Sequence, residues 1–160
     1  MSSSYGPPPG WAPPGAQFQS RSGFGRALLG TLLGVVATPA GVLLVAHGSL
    51  QSRGWVVSGN ASDRWSSNSQ IIGGAVLLFF VVALAAYSPV GTAISGLIWG
   101  IVPAAMHIFF PNDTFRQVEK LPILSGEYLL ALHNWLQNGL SVVIGLLLIG
   151  AALAATLRKR

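Results

Sequence analysis

The chain has 160 residues, of which 51% are hydrophobic and only 8% charged, against about 25% charged in an average soluble domain. Its 20 glycines accompany apolar residues arranged in long blocks rather than stripes, which is the composition of an integral membrane protein. No cysteine is present, which excludes disulfide scaffolds, thiolate metal sites and cysteine nucleophiles, and the net charge of +5 resides in the two ends, so the contiguous basic surface that nucleic-acid binding needs is missing.

The first segment, 1–26, opens with MSSSYGPPPGWAPPGAQFQS, which carries no charge and is built from Pro, Gly, Ser and Ala. Such a stretch has too little apolar surface to fold and predicts a disordered, partly polyproline-like tail. It also lacks the basic start and apolar core of a signal peptide. Residues 27–46, ALLGTLLGVVATPAGVLLVA, then give a first span of about 30 Å at ~1.5 Å per residue, the thickness of the hydrocarbon layer. Pro39 falls in mid-span and predicts a kink, with Thr38 at hand for the freed backbone group. His47 closes the span. The segment 47–70 alternates short apolar and polar runs, includes Trp55 and Trp65, and reads as a loop.

A second span covers 71–87, and Tyr87-Ser88-Pro89 leaves room only for a tight hairpin. The third span, 90–110, contains Pro103, a second expected kink, and His107, and it ends against Pro111-Asn112-Asp113. In the following loop, SGEYLLALHNWLQNG reads as an amphipathic helix with Ser125 as N-cap and Glu127 in the first turn. Leu129, Leu132, Trp135 and Leu136 share its apolar face. Trp55, Trp65 and Trp135 are the expected interfacial anchors. The fourth span, 139–157, runs into the basic end 158–160, Arg158-Lys159-Arg160. The expected fold is therefore all-α: a polytopic membrane protein of four transmembrane helices with a short extracytoplasmic amphipathic helix.

Four spans put both ends on one side. Three basic residues stand directly against the fourth span and all four acids lie in the opposite loops, so the ends are expected in the cytoplasm and the chain in the plasma membrane.

His47, His107 and His133 all fall near the outer boundary of the bilayer. With Glu127, and with Asp63 or Asp113 nearby, they are the candidate ligands of a zinc or copper site, or a proton-sensitive cluster. No two of them show ligand spacing on a shared helix, and interfacial anchoring or hydrogen bonding is the favoured reading of their positions. No ionisable residue lies deep in any span, which disfavours an ion-coupled transporter. The polar groups at depth are hydroxyls: Thr31, Thr38, Thr92, Ser95 and Ser141. Gly30 with Gly34, and Gly96 with Gly100, are spaced four apart, the pattern that lets membrane helices pack closely.

The tail SSSYGPPPGWAPPGAQ resembles the Pro/Gly/Trp-rich cytoplasmic tails of many actinobacterial membrane proteins, and the four-span body is similar in plan to small membrane proteins of that group. The resemblance implies a bacterial membrane setting and carries over no functional residue. With no catalytic constellation and no cofactor motif, the expectation is a non-enzymatic accessory or assembly subunit of a cell-envelope membrane complex. Its partners would be the bilayer and other membrane proteins, with a homo-oligomer left open. The alternatives are a small channel or carrier for an uncharged or weakly charged solute, and a histidine-based metal or proton site at the outer face.

Overall fold

The computed structural model describes residues 23–59, 64–120 and 126–158. The Pro/Gly-rich tail up to residue 22, Asp63, Ser125, Lys159 and Arg160 lie outside it. Among the described residues every element is helical. α1 spans Gly23–Ser58 and α2 Arg64–Tyr87. A third crossing is built from α3 (Pro89–Gly96), a π-helical segment Leu97–Ile101, and α4 (Val102–Phe109). α5 (Pro111–Glu119), α6 (Gly126–Gln137) and α7 (Leu140–Leu157) follow. The stretches Gly25–Ser58, Arg64–Tyr87, Pro89–Phe109 and Leu140–Leu157 are each long and apolar enough to cross a membrane. This is an all-α, multi-pass membrane protein.

The two sharp breaks in the chain share one cause. Ser88 and Phe110, each preceding a proline, both have φ −136°. A proline ring crowds the preceding residue out of the helical region, while the proline itself, lacking an N–H, fits the first turn of the next helix. Ser88 is thus the whole connection between α2 and α3. Pro103 acts differently. Mid-helix it has no N–H to donate and its ring presses on the carbonyl one turn back, and the helix widens to the π form just ahead of it, with the Val102 N–H reaching the Leu97 carbonyl. Pro39, by contrast, lies inside an uninterrupted α1. The Thr38 hydroxyl donates to the Gly34 carbonyl at 2.6 Å, one residue short of the Val35 carbonyl that a proline at 39 leaves without its helical donor.

Close approaches set the register. Gly30 and Gly34 lie against Ser88, Gly91 and Ser95, so α1 and the third crossing run parallel. Gly41 and Gly48 meet α2 at Gly74 and Ser67, in antiparallel order. Gly96 and Gly100 meet α7 around Leu148 and Gly145. The ends of α1 and α7 that lead to the chain termini therefore lie at one end of the bundle. There the Arg26 guanidinium sits 5.0 Å above the Tyr87 ring.

α1 differs most from the sequence expectation. It has 36 residues, about 54 Å at ~1.5 Å per residue, well beyond the hydrocarbon layer. It takes in residues 23–26, assigned to the tail, and 47–58, assigned to a loop. The apolar run stops at Ala46, but nothing after it stops a helix, and tertiary contacts hold the extension: the Trp55 indole N–H donates to Ser67 Oγ on α2 at 3.0 Å. α2 likewise begins at Arg64 rather than near residue 71.

Candidate functional site at the loop end of the bundle

The end opposite the termini gathers the histidines, the acidic Glu127 and Trp55, Trp65 and Trp135. His47 follows the apolar stretch of α1, and the close contact of Gly48 with α2 brings it to Gln70. His47 is only 6% exposed. Its Nδ1 lies 2.7 Å from Gln70 Oε1 and its Nε2 3.4 Å from Glu127 Oε2. Its ring stacks on Tyr128, centroid to centroid 4.2 Å with planes 18° apart. Both ring nitrogens thus lie within reach of a side-chain oxygen. The Glu127 carboxylate end is open, with a side chain 76% exposed.

A polar cleft of about 420 Å³ adjoins this cluster, lined by His47, Leu50, Gln51, Gly54, Trp55 and Ser58 of α1 and by Glu127. Gln51 Oε1 is buried there without a hydrogen-bond partner. The exposed Glu127 carboxylate is the acceptor that the cleft presents. A partner group that donates N–H complements it.

His107 and His133 stand apart from His47. Both meet the ring of Phe115 on α5 edge-on, at 5.3 Å and 4.3 Å. His107 Nδ1 and His133 Nε2 are buried without a partner. The three histidines and Glu127, grouped by the sequence as candidate ligands, are therefore divided: Glu127 reaches His47 alone, while His107 and His133 converge on an aromatic ring. Among the described residues no three His, Asp or Glu side chains come together in a geometry that could hold a metal ion. α5, an element with no place in the sequence expectation, supplies the Phe115 ring that both His107 and His133 meet.

The expected anchors also differ in placement. Trp65 is exposed, Trp55 is half-buried and pinned to Ser67, and Trp135 is only 6% exposed, packed with Val42, Ala46 and Ala131. Trp135 is thus a core residue rather than an interfacial anchor, because the apolar face of α6 folds onto α1 instead of onto lipid. Gly139, with φ 69° in the left-handed region that favours glycine, turns the chain from α6 into α7.

Beneath this layer lies a second, half-open cavity of about 340 Å³ with an almost wholly apolar lining. Pro39, Val42, Trp99, Pro103, Val118 and Trp135 are among its walls. The Trp135 indole N–H has no hydrogen-bond partner. By contrast, the deep hydroxyls of Thr31, Thr38, Thr92 and Ser95 each donate to a carbonyl one turn back in their own helix.

Gln51, Gln70, Phe115, Val118 and Tyr128 were not legible as site residues. α5 alone left a signal, with Pro111 at its first position, Asp113 in its first turn and Arg116 in its last. Comparison with family models, with curated proteins and with solved structures finds no match for this chain.

Proposed function

We propose that the chain is a non-enzymatic accessory or assembly subunit of a cell-envelope membrane complex, seated in the plasma membrane with both termini in the cytoplasm. The carrying observation is the helical pair that rises past the hydrocarbon. Val57 of α1 is 87% exposed and Trp65 of α2 is 83% exposed, with Val56 exposed beside them. Val57 stands roughly 16 Å beyond residue 46 at ~1.5 Å per residue, where lipid tails no longer cover it. Large apolar side chains exposed past the end of the apolar run suit a surface for a protein partner. The neighbouring cleft, with the open Glu127 carboxylate in its lining, suits a partner that brings a lysine or arginine to the same place.

The test is a pull-down of the tagged full chain from native membranes in mild detergent, with mass spectrometry of what co-purifies. A stoichiometric set of envelope proteins that is lost in a V57D/W65S variant supports the reading. Recovery of the chain alone overturns it. A second reading, a carrier for an uncharged solute, draws on the apolar cavity between Pro39 and Pro103. Solute flux into liposomes by the pure protein is its test.

A further inference from the structure

We infer that the end of the bundle nearest the chain termini is an anionic-lipid site: the Arg26 guanidinium, seated on the Tyr87 ring, binds the phosphate of an acidic membrane phospholipid. Three observations lead there. The first is charge. Arg26 and Arg158 stand at this end, and the sequence adds Arg21, Lys159 and Arg160. All four acidic side chains, Asp63, Asp113, Glu119 and Glu127, fall in the connections between the first and second crossings or the third and fourth. The chain therefore brings no carboxylate side chain to Arg26, and its counter-charge comes from the surroundings.

The second observation is geometry. The guanidinium lies 5.0 Å from the centroid of the Tyr87 ring, a cation–π contact between the first turns of α1 and the last residue of α2. Among the described residues it is the one cation held over an aromatic ring. The ring stabilises the charge but is a weak acceptor of N–H, so the planar fork of donors stays available for two oxygens of a phosphate. Both groups are accessible: Arg26 is exposed and Tyr87 is 53% exposed.

The third observation is depth. Arg26 directly precedes the apolar run 27–46, and Tyr87 closes the apolar run of α2. The pair thus stands at the edge of the hydrocarbon layer, where the headgroups begin. Leu28 and Leu29 on α1 and Val90 after the Ser88 turn are exposed beside it. A cation at headgroup level above exposed hydrocarbon fits a ligand that joins a phosphate to acyl tails, rather than a free phosphate. The site is independent of the partner surface at the opposite end.

In the experiment the full chain, purified in mild detergent, is titrated with phosphatidylglycerol or with phosphatidylcholine of the same tails, and bound lipid is counted by native mass spectrometry. Phosphatidylglycerol is expected to bind the more tightly. R26Q is expected to lower its binding about fivefold, the share of one basic residue near an anionic surface. Y87L, which removes the ring, should lower it roughly twofold, whereas Y87F keeps the ring and should leave it unchanged. R158Q removes one charge from the same end and is expected to lower binding less than R26Q. Equal binding of the two lipids or unchanged binding in R26Q overturns the proposal. So does a loss in R158Q as large as in R26Q, since surface charge alone then attracts the lipid. Inorganic phosphate at the concentration of the lipid is expected not to displace it, and displacement overturns the lipid assignment in favour of a free-phosphate site. Should R26Q not fold, as judged by circular dichroism, Y87L against Y87F decides: equal binding in the two overturns the assignment.

Discussion

Gly100 in the π-helical segment and Gly145 in α7 pack backbone on backbone, so the third and fourth crossings meet with no side chain between them. A methyl group on Gly100 meets only the backbone of Gly145 and Ser141, and one on Gly145 meets the Ile101 side chain together with the backbone of Ile101 and Gly100, which cannot swing aside. G145A is therefore expected to lower stability by about 1–3 kcal/mol, the range for overpacking. Gly150, on the same helix, faces open space, and G150A should be neutral or raise stability by up to ~1 kcal/mol through helix propensity. Unfolding both variants in mixed micelles checks the contrast, and equal losses would refute the packing.

The hydrogen bond from Trp55 to Ser67 holds the projecting end of α1 to α2. A double-mutant cycle of W55F and S67A should return a coupling energy of about 1 kcal/mol, that of a neutral hydrogen bond. A coupling near zero means that the extension is held by apolar contact alone.

His47 is buried and bonded, whereas its carboxylate partner stands in solvent. H47A should lower stability by about 2 kcal/mol or more, since it removes the stacking on Tyr128 and leaves Gln70 Oε1 unpaired. E127Q should lower it by less than about 1 kcal/mol, with the difference shrinking in high salt. The two variants, unfolded at low and high ionic strength, separate these contributions; a loss in E127Q as large as in H47A contradicts the geometry.

The cysteine-free sequence makes single-cysteine labelling clean. In intact cells, V57C should react quickly with a membrane-impermeant maleimide, A46C should not react, and R158C should react only after permeabilisation. Val57 is exposed and Ala46 buried, so the first pair reports the α1 extension. The last comparison reports orientation, and labelling of R158C in intact cells reverses the proposed topology.

The four crossings were legible because the bilayer imposes one simple requirement, an apolar run about 30 Å long whose backbone bonds close within itself. The Ser88 hairpin was legible for an equally local reason, the steric effect of Pro89. Position along the chain also brought His47, His107 and His133 to one end. Which of them touch was decided elsewhere. α1 continues past its apolar run because α2 and α6 are there to receive it, and that continuation delivers His47 to Gln70 and Glu127. Phe115, the ring that the other two histidines meet, comes from a helix too short and too polar for hydropathy to register. The amphipathic face of α6 reads equally well as lipid-facing or bundle-facing, since both surroundings are apolar. Only its docking on Val42 and Ala46 buries Trp135, leaves its N–H unpaired and forms the cavity. The sequence alone determined the number of the apolar crossings, because burial in lipid depends on local composition. The tertiary structure decided the sites, because each is made of side chains that meet only when separate helices pack.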